Sequence, residues 1–75
     1  MYFRAELSAL LEELEQLDRE YEFACSRAEY HAQHALKGEA RSLFLYSGAR
    51  TRMQEIESRV LVISDRIAAL EEILS

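Results

Sequence analysis

Cys25, Glu29, His31 and His34 stand within ten residues of one another in the first half of this chain, and their types can do chemistry together. On a helix, His31 and His34 are three apart and share a side, with Glu29 and Cys25 close by in sequence. A thiol, a carboxylate and two imidazoles are the raw material of a zinc site or of an activated nucleophile. A structural zinc site needs about four ligands, usually brought from two segments. No second cluster of Cys or His lies downstream. Cys25 has no supporting base at a recognisable spacing, and the chain carries neither a Gly-rich phosphate loop nor a nucleophile elbow. These residues are therefore read as packing groups, with His31 beside Tyr46, Cys25 among Ala24 and Ala28, and His34 facing solvent. No metal, cofactor or catalytic residue is assigned, and the expectation is a protein that is not an enzyme.

The elements that hold these residues follow from composition and spacing. The chain has 75 residues, 49% hydrophobic and 31% charged, which bounds it to one small domain. It contains no proline, and Ala, Leu, Glu, Arg and Gln are abundant, so helix is expected over nearly the whole length and strand is not. In the first half Phe3, Leu7, Leu10, Leu14, Leu17, Tyr21, Ala24, Ala28, His31 and Ala35 recur at alternating steps of four and three. In the second half Ser42, Tyr46, Ala49, Met53, Ile56, Val60, Ile63, Ile67, Leu70 and Leu74 do the same. Two sustained heptad seams are present.

The second seam runs unbroken past Gly48, whereas the first ends just before Gly38, so Gly38 is the predicted turn. Lys37 then sits beside the negative end of the first helix dipole. The reading is an all-α antiparallel two-helix hairpin, with helix over 4–36, turn over 37–39 and helix over 40–74. Folding the chain back at Gly38 pairs residues whose numbers add to 77, such as Leu14 with Ile63 and Leu17 with Val60. A different folding breaks the chain at both glycines and leaves 42–47 as a separate segment.

A single seam leaves apolar residues over. Leu43, Phe44, Leu45, Leu61, Val62 and Ile73 lie off the inward positions of the second helix, and Leu11, Phe23 and Tyr30 off those of the first. Two helices cannot bury all of these, so the hairpin is expected to need completion by a helical partner or by dimerisation into a bundle. The residues assigned to partner binding are Leu43, Phe44, Leu45, Tyr46, Leu61, Val62, Phe23 and Tyr30.

Charge limits the partner. Residues 1–36 carry eight acids against three arginines, and residues 37–75 carry six of each sign. Arg50, Arg52, Arg59 and Arg66 are interspersed with acids, which disfavours nucleic acid as the ligand. Glu15 and Arg19, and Glu55 and Arg59, stand at stabilising i,i+4 spacing on what reads as a solvated face. The acidic first helix could instead steer a basic target protein. The longest apolar runs, Val60 to Ile63 and Leu43 to Tyr46, are four residues long, far below the roughly 20 a membrane span requires. The opening MYFRAELSALLEELEQ lacks the cationic start and apolar core of a secretory signal. A cytoplasmic location is the resulting expectation, and the lone Cys25 agrees with a reducing compartment.

The stretch KGEARSLFLYSGARTRMQEIESRVLVIS resembles the second half of the small YscE-like chaperones of bacterial type III secretion. Lys37 and Gly38 at the turn, Tyr46 early in the second helix, and Glu57 and Ser58 before the aliphatic run Val60 to Ile63 carry the likeness, which covers about half the chain. The resemblance implies a cytosolic co-chaperone that binds a larger TPR-like helical chaperone, the two together keeping the needle subunit monomeric before export. It also implies that Leu43, Phe44, Leu45, Leu61 and Val62 contact that chaperone. Without the resemblance two readings stand: an adaptor whose hairpin completes another protein's helical core, and a self-associating hairpin that forms a dimeric four-helix bundle.

Overall fold

A computed structural model describes residues 2–75. They form an all-α hairpin in which α1 (Tyr2–Leu36) and α2 (Ala40–Leu74) lie side by side over most of their length. Each helix has 35 residues, which at about 1.5 Å per residue gives roughly 50 Å. The hairpin measures 55 × 15 × 14 Å. Helix α1 begins at Tyr2, two residues before the expected start, because no glycine, proline or capping residue interrupts the helix-forming run there. Helix α2 continues through Gly48, so the folding that breaks at both glycines does not occur.

The turn is built on Gly38, whose φ of 89° lies in the left-handed region that residues with a Cβ disfavour. The Glu39 amide donates to the His34 carbonyl at 3.3 Å and the Gly38 amide to the Ala35 carbonyl at 3.0 Å. This pair of bonds is the Schellman arrangement, which satisfies carbonyls that the end of α1 would otherwise leave unpaired. Glu39 then stands at the N-cap of α2 with extended backbone, and its own carbonyl accepts from the Ser42 amide at 3.0 Å.

The core is the expected seam. From Leu7 to Ala35 on α1 and from Ser42 to Leu74 on α2, every inward position is buried or half-buried, and no off-seam residue is fully buried among those described. Its composition changes along the axis. Near the turn Ala24, Ala28, Ala49 and Met53 form one cluster, against which Tyr21, Cys25 and Tyr46 pack. Further out, Leu17, Ile56 and Ile63 form a second, joined by Leu10, Leu14, Val60 and Ile67. Leu70 is sealed completely. Phe3 departs from the pattern at 41% exposure; by register it lies opposite Leu74, the last helical residue of α2.

Candidate protein-docking surface

The flanks of the seam determine what the hairpin presents to a partner. On one flank Glu6, Glu13 and Glu20 recur every seven residues on α1, and Arg66, Arg59 and Arg52 do so in reverse order on α2. Antiparallel helices bring each acid against one arginine. Arg66 Nε and Nη2 donate to the two Glu6 oxygens at 2.8 and 2.9 Å. Arg59 Nη2 lies 2.8 Å from Glu13 Oε2, and Arg52 Nη2 lies 3.1 Å from Glu20 Oε1. Arg52 also reaches Glu55 at 3.3 Å. The fork of hydrogen bonds from Arg66 holds the Glu6 carboxyl below its usual range, and the carboxylate in turn raises Arg66.

Neither of the two expected i,i+4 pairs forms, and the ladder displaces the one between Glu55 and Arg59. Arg19 donates to Gln16 at 2.9 Å instead of to Glu15, and Arg59 reaches across to Glu13 instead of along its own helix to Glu55. For Arg59 the cause is position. Residues flanking a seam are carried toward the opposite helix, where a guanidinium finds a carboxylate with both oxygens accessible. The signal was present in the sequence as a common heptad period of Glu and Arg, one step beside the apolar positions.

On the opposite flank Tyr21 donates its hydroxyl to Glu57 Oε1 at 2.8 Å. Donation to a carboxylate stabilises the protonated phenol, so the Tyr21 hydroxyl is pushed above its ordinary value, with partial desolvation acting in the same direction. At the turn, His34 is half-buried and not fully in solvent as expected. Its Nδ1 lies 3.0 Å from Glu39 Oε2, its ring centroid lies 4.4 Å from that of Tyr30, and Ser42 Oγ donates to the same Glu39 oxygen at 3.2 Å. The carboxylate thus ties the two helix ends together. The ring neighbour of His31 is Tyr30, with centroids 5.4 Å apart, on its own helix. Tyr46, the expected neighbour of His31, packs on the alanine-rich cluster. Cys25 is half-buried against that cluster. Among the described residues no group of three or more His, Cys, Asp or Glu side chains is placed to hold a metal ion, and no helix is long and apolar enough to cross a membrane.

The apolar residues assigned to partner binding are distributed over several surfaces. Phe44 is 81% exposed, and Phe23, Leu61, Leu43, Tyr30 and Val62 are each more than half exposed, with Leu45 at 37%; Tyr46, assigned with them, is instead half-buried against the alanine-rich cluster. Phe23, Phe44 and Leu45 converge with Ala24, Gly48 and Ala49 to line a groove of about 480 Å³, edged by Arg19, Arg27 and Arg52. Leu61 lines a smaller hollow of about 390 Å³ on the other flank, beside Tyr21 and Val60 and between Asp18 and Glu57. Leu43, Val62 and Tyr30 line neither. The hairpin therefore offers one apolar depression edged by guanidinium groups and another edged by carboxylates. No protein-family model, curated protein or solved structure matches this chain.

Proposed function

We propose that this hairpin is a protein-binding co-chaperone or adaptor that completes the helical core of a larger protein. The observation that supports the reading is the imbalance of its own core. Among the described residues the seam buries eight hydrophobic side chains, three of them alanine, while twelve large hydrophobics remain exposed. Three of these, Phe23, Phe44 and Leu45, line one groove, a clustering that supports a docking surface over scattered surface hydrophobes. In the setting that the type III secretion resemblance implies, the partner is a TPR-like chaperone and the joint cargo is the needle subunit.

Light scattering coupled to size exclusion, across a concentration range of about a hundredfold, with circular dichroism on the same samples, tests this reading. The expected outcome is a monomer or a shifting mixture of marginal helicity. Phe44→Ala and Val62→Asp should retain that helicity and weaken association with the partner, since both side chains project into solvent. A tight dimer that persists at every concentration would instead identify the chain as a self-associating four-helix bundle.

A further inference from the structure

The groove at the turn-proximal end of the hairpin carries information about its occupant. The ladder of acid and arginine rungs stops at Glu20 and Arg52. One heptad step closer to the turn, the next position on α1 is Arg27 and the next on α2 is Leu45, so a guanidinium stands where a carboxylate would continue the series. Arg27 lies over the Phe23 ring, 5.8 Å from its centroid. Among the described residues neither Arg27 nor Arg19 has a carboxylate in ion-pair contact, while Glu20, the groove's one acid, is held by Arg52. In a chain of net charge −5, the groove is a local reversal of sign.

Gly48 is the second observation. It lies inside α2, where glycine is the least favoured residue after proline, and its φ is not positive. A Cβ at this position would meet nothing within 4 Å. The hairpin therefore has no steric or conformational use for a glycine here. A bare backbone on the floor of a groove does serve a molecule that packs closely against it.

We propose that this groove seats an amphipathic helix of a partner protein, with an apolar anchor side chain over Gly48 and carboxylates against Arg27 and Arg19. The proposal rests on the protein-binding reading and specifies the partner's chemistry. A third helix is the element that fits lengthwise into the channel between two packed helices, and its apolar stripe would cover Phe23, Phe44 and Leu45. A second copy of this chain seated symmetrically through the same groove would bring its Arg19 and Arg27 toward their own counterparts, a juxtaposition of like charges.

The test uses a displayed library of amphipathic helices with a fixed Leu/Phe stripe and randomised Asp, Glu, Lys and Arg positions, selected on the full-length hairpin. Enriched sequences should be acidic beside the stripe. A peptide made from them should lose roughly tenfold or more in affinity on Gly48→Leu and on Arg27→Glu, with circular dichroism of both variants unchanged. Gly48→Ala should raise the Tm of the free hairpin and yet weaken the peptide. Enrichment of neutral or basic helices overturns the proposal. Affinity that survives Gly48→Leu but is lost in Val62→Asp also overturns it, and leaves the protein-binding function intact. A dimer converted to monomer by Gly48→Leu would assign the groove to a second copy and overturn it as well. Failure to enrich any helix would overturn both this proposal and the protein-binding reading.

Discussion

Glu13 and Arg59 hold each other across the hairpin, Arg59 Nη2 lying 2.8 Å from one carboxylate oxygen and 2.9 Å from the other. They form the middle rung of three, and each rung is satisfied only when α1 and α2 are antiparallel and in one register. Sliding either helix by a heptad would leave an acid or an arginine without its partner. The ladder thus discriminates between registers that the apolar seam alone would nearly tolerate. Glu13→Arg should lower the Tm and broaden the unfolding transition, and adding Arg59→Glu should restore most of the loss. A double-mutant cycle by urea denaturation measures the coupling. If the charge-swapped pair is no more stable than the two single changes summed, the rung does not select the register.

Acid should weaken the open end of the hairpin. The hydrogen bonds from Arg66 hold the Glu6 carboxyl below its ordinary value of 4.5, partial desolvation opposes the shift, and the charge of Arg66 adds to it. A carboxyl depressed in the folded state contributes stability above its unfolded value, and that contribution is lost as pH falls through the folded one. Urea midpoints measured stepwise downward from pH 6 should therefore drop below about pH 4.5, and drop less in Arg66→Gln. Identical acid profiles for the two proteins would remove Glu6 as a contributor.

Core substitutions should rank by burial. Ile63 is 1% exposed, in the larger-residue cluster, whereas Leu14 is half-buried at its edge. Ile63→Ala should cost about 2–5 kcal/mol, enough to unfold so small a domain, and Leu14→Ala should lie at the low end of that range or below it. Thermal denaturation followed at 222 nm gives the order, and a larger loss from Leu14→Ala would contradict the packing described.

Gly38 admits little substitution. With φ at 89° and nothing within 4 Å of a Cβ, the obstacle is backbone conformation and not space. Gly38→Ala should cost roughly 1–2 kcal/mol, and Gly38→Asn less, because asparagine tolerates the left-handed region. Equal stability of all three proteins would show that the turn relaxes into another form.

The seam and its reversal at Gly38 were legible because both obey rules with few alternatives. An apolar residue at steps of three and four has only one helical interpretation, and a glycine at the end of such a series has one common use. The charged flanks were less legible. Arg59 has acids within reach both along its own helix and across the hairpin, and spacing alone does not say which it takes. The fold decides in favour of Glu13. His34 was misplaced for a related reason. Its fate depends on Glu39, which the turn brings back against the end of α1, and a turn's side-chain geometry is not visible in a periodicity. Phe23 and Phe44 could be identified as surplus, but their lining of one groove with Gly48 required the helices to be placed in space.

Because the chain reverses once, at Gly38, every contact between the helices encloses that turn, and sequence separation grows steadily toward the open end. The contact between His34 and Glu39 spans five residues, that between Arg52 and Glu20 spans 32, and that between Arg66 and Glu6 spans 60. Loop-closure entropy rises along this series, so the hairpin should zip from the turn outward and fray from the termini inward. Backbone amides near Glu6 and Arg66 should accordingly exchange with solvent ahead of those beside Ile56, at closely matched rates on the two helices. A partner that grips the turn-proximal groove would hold the part of the molecule that forms first, and could engage the chain before its far end has closed.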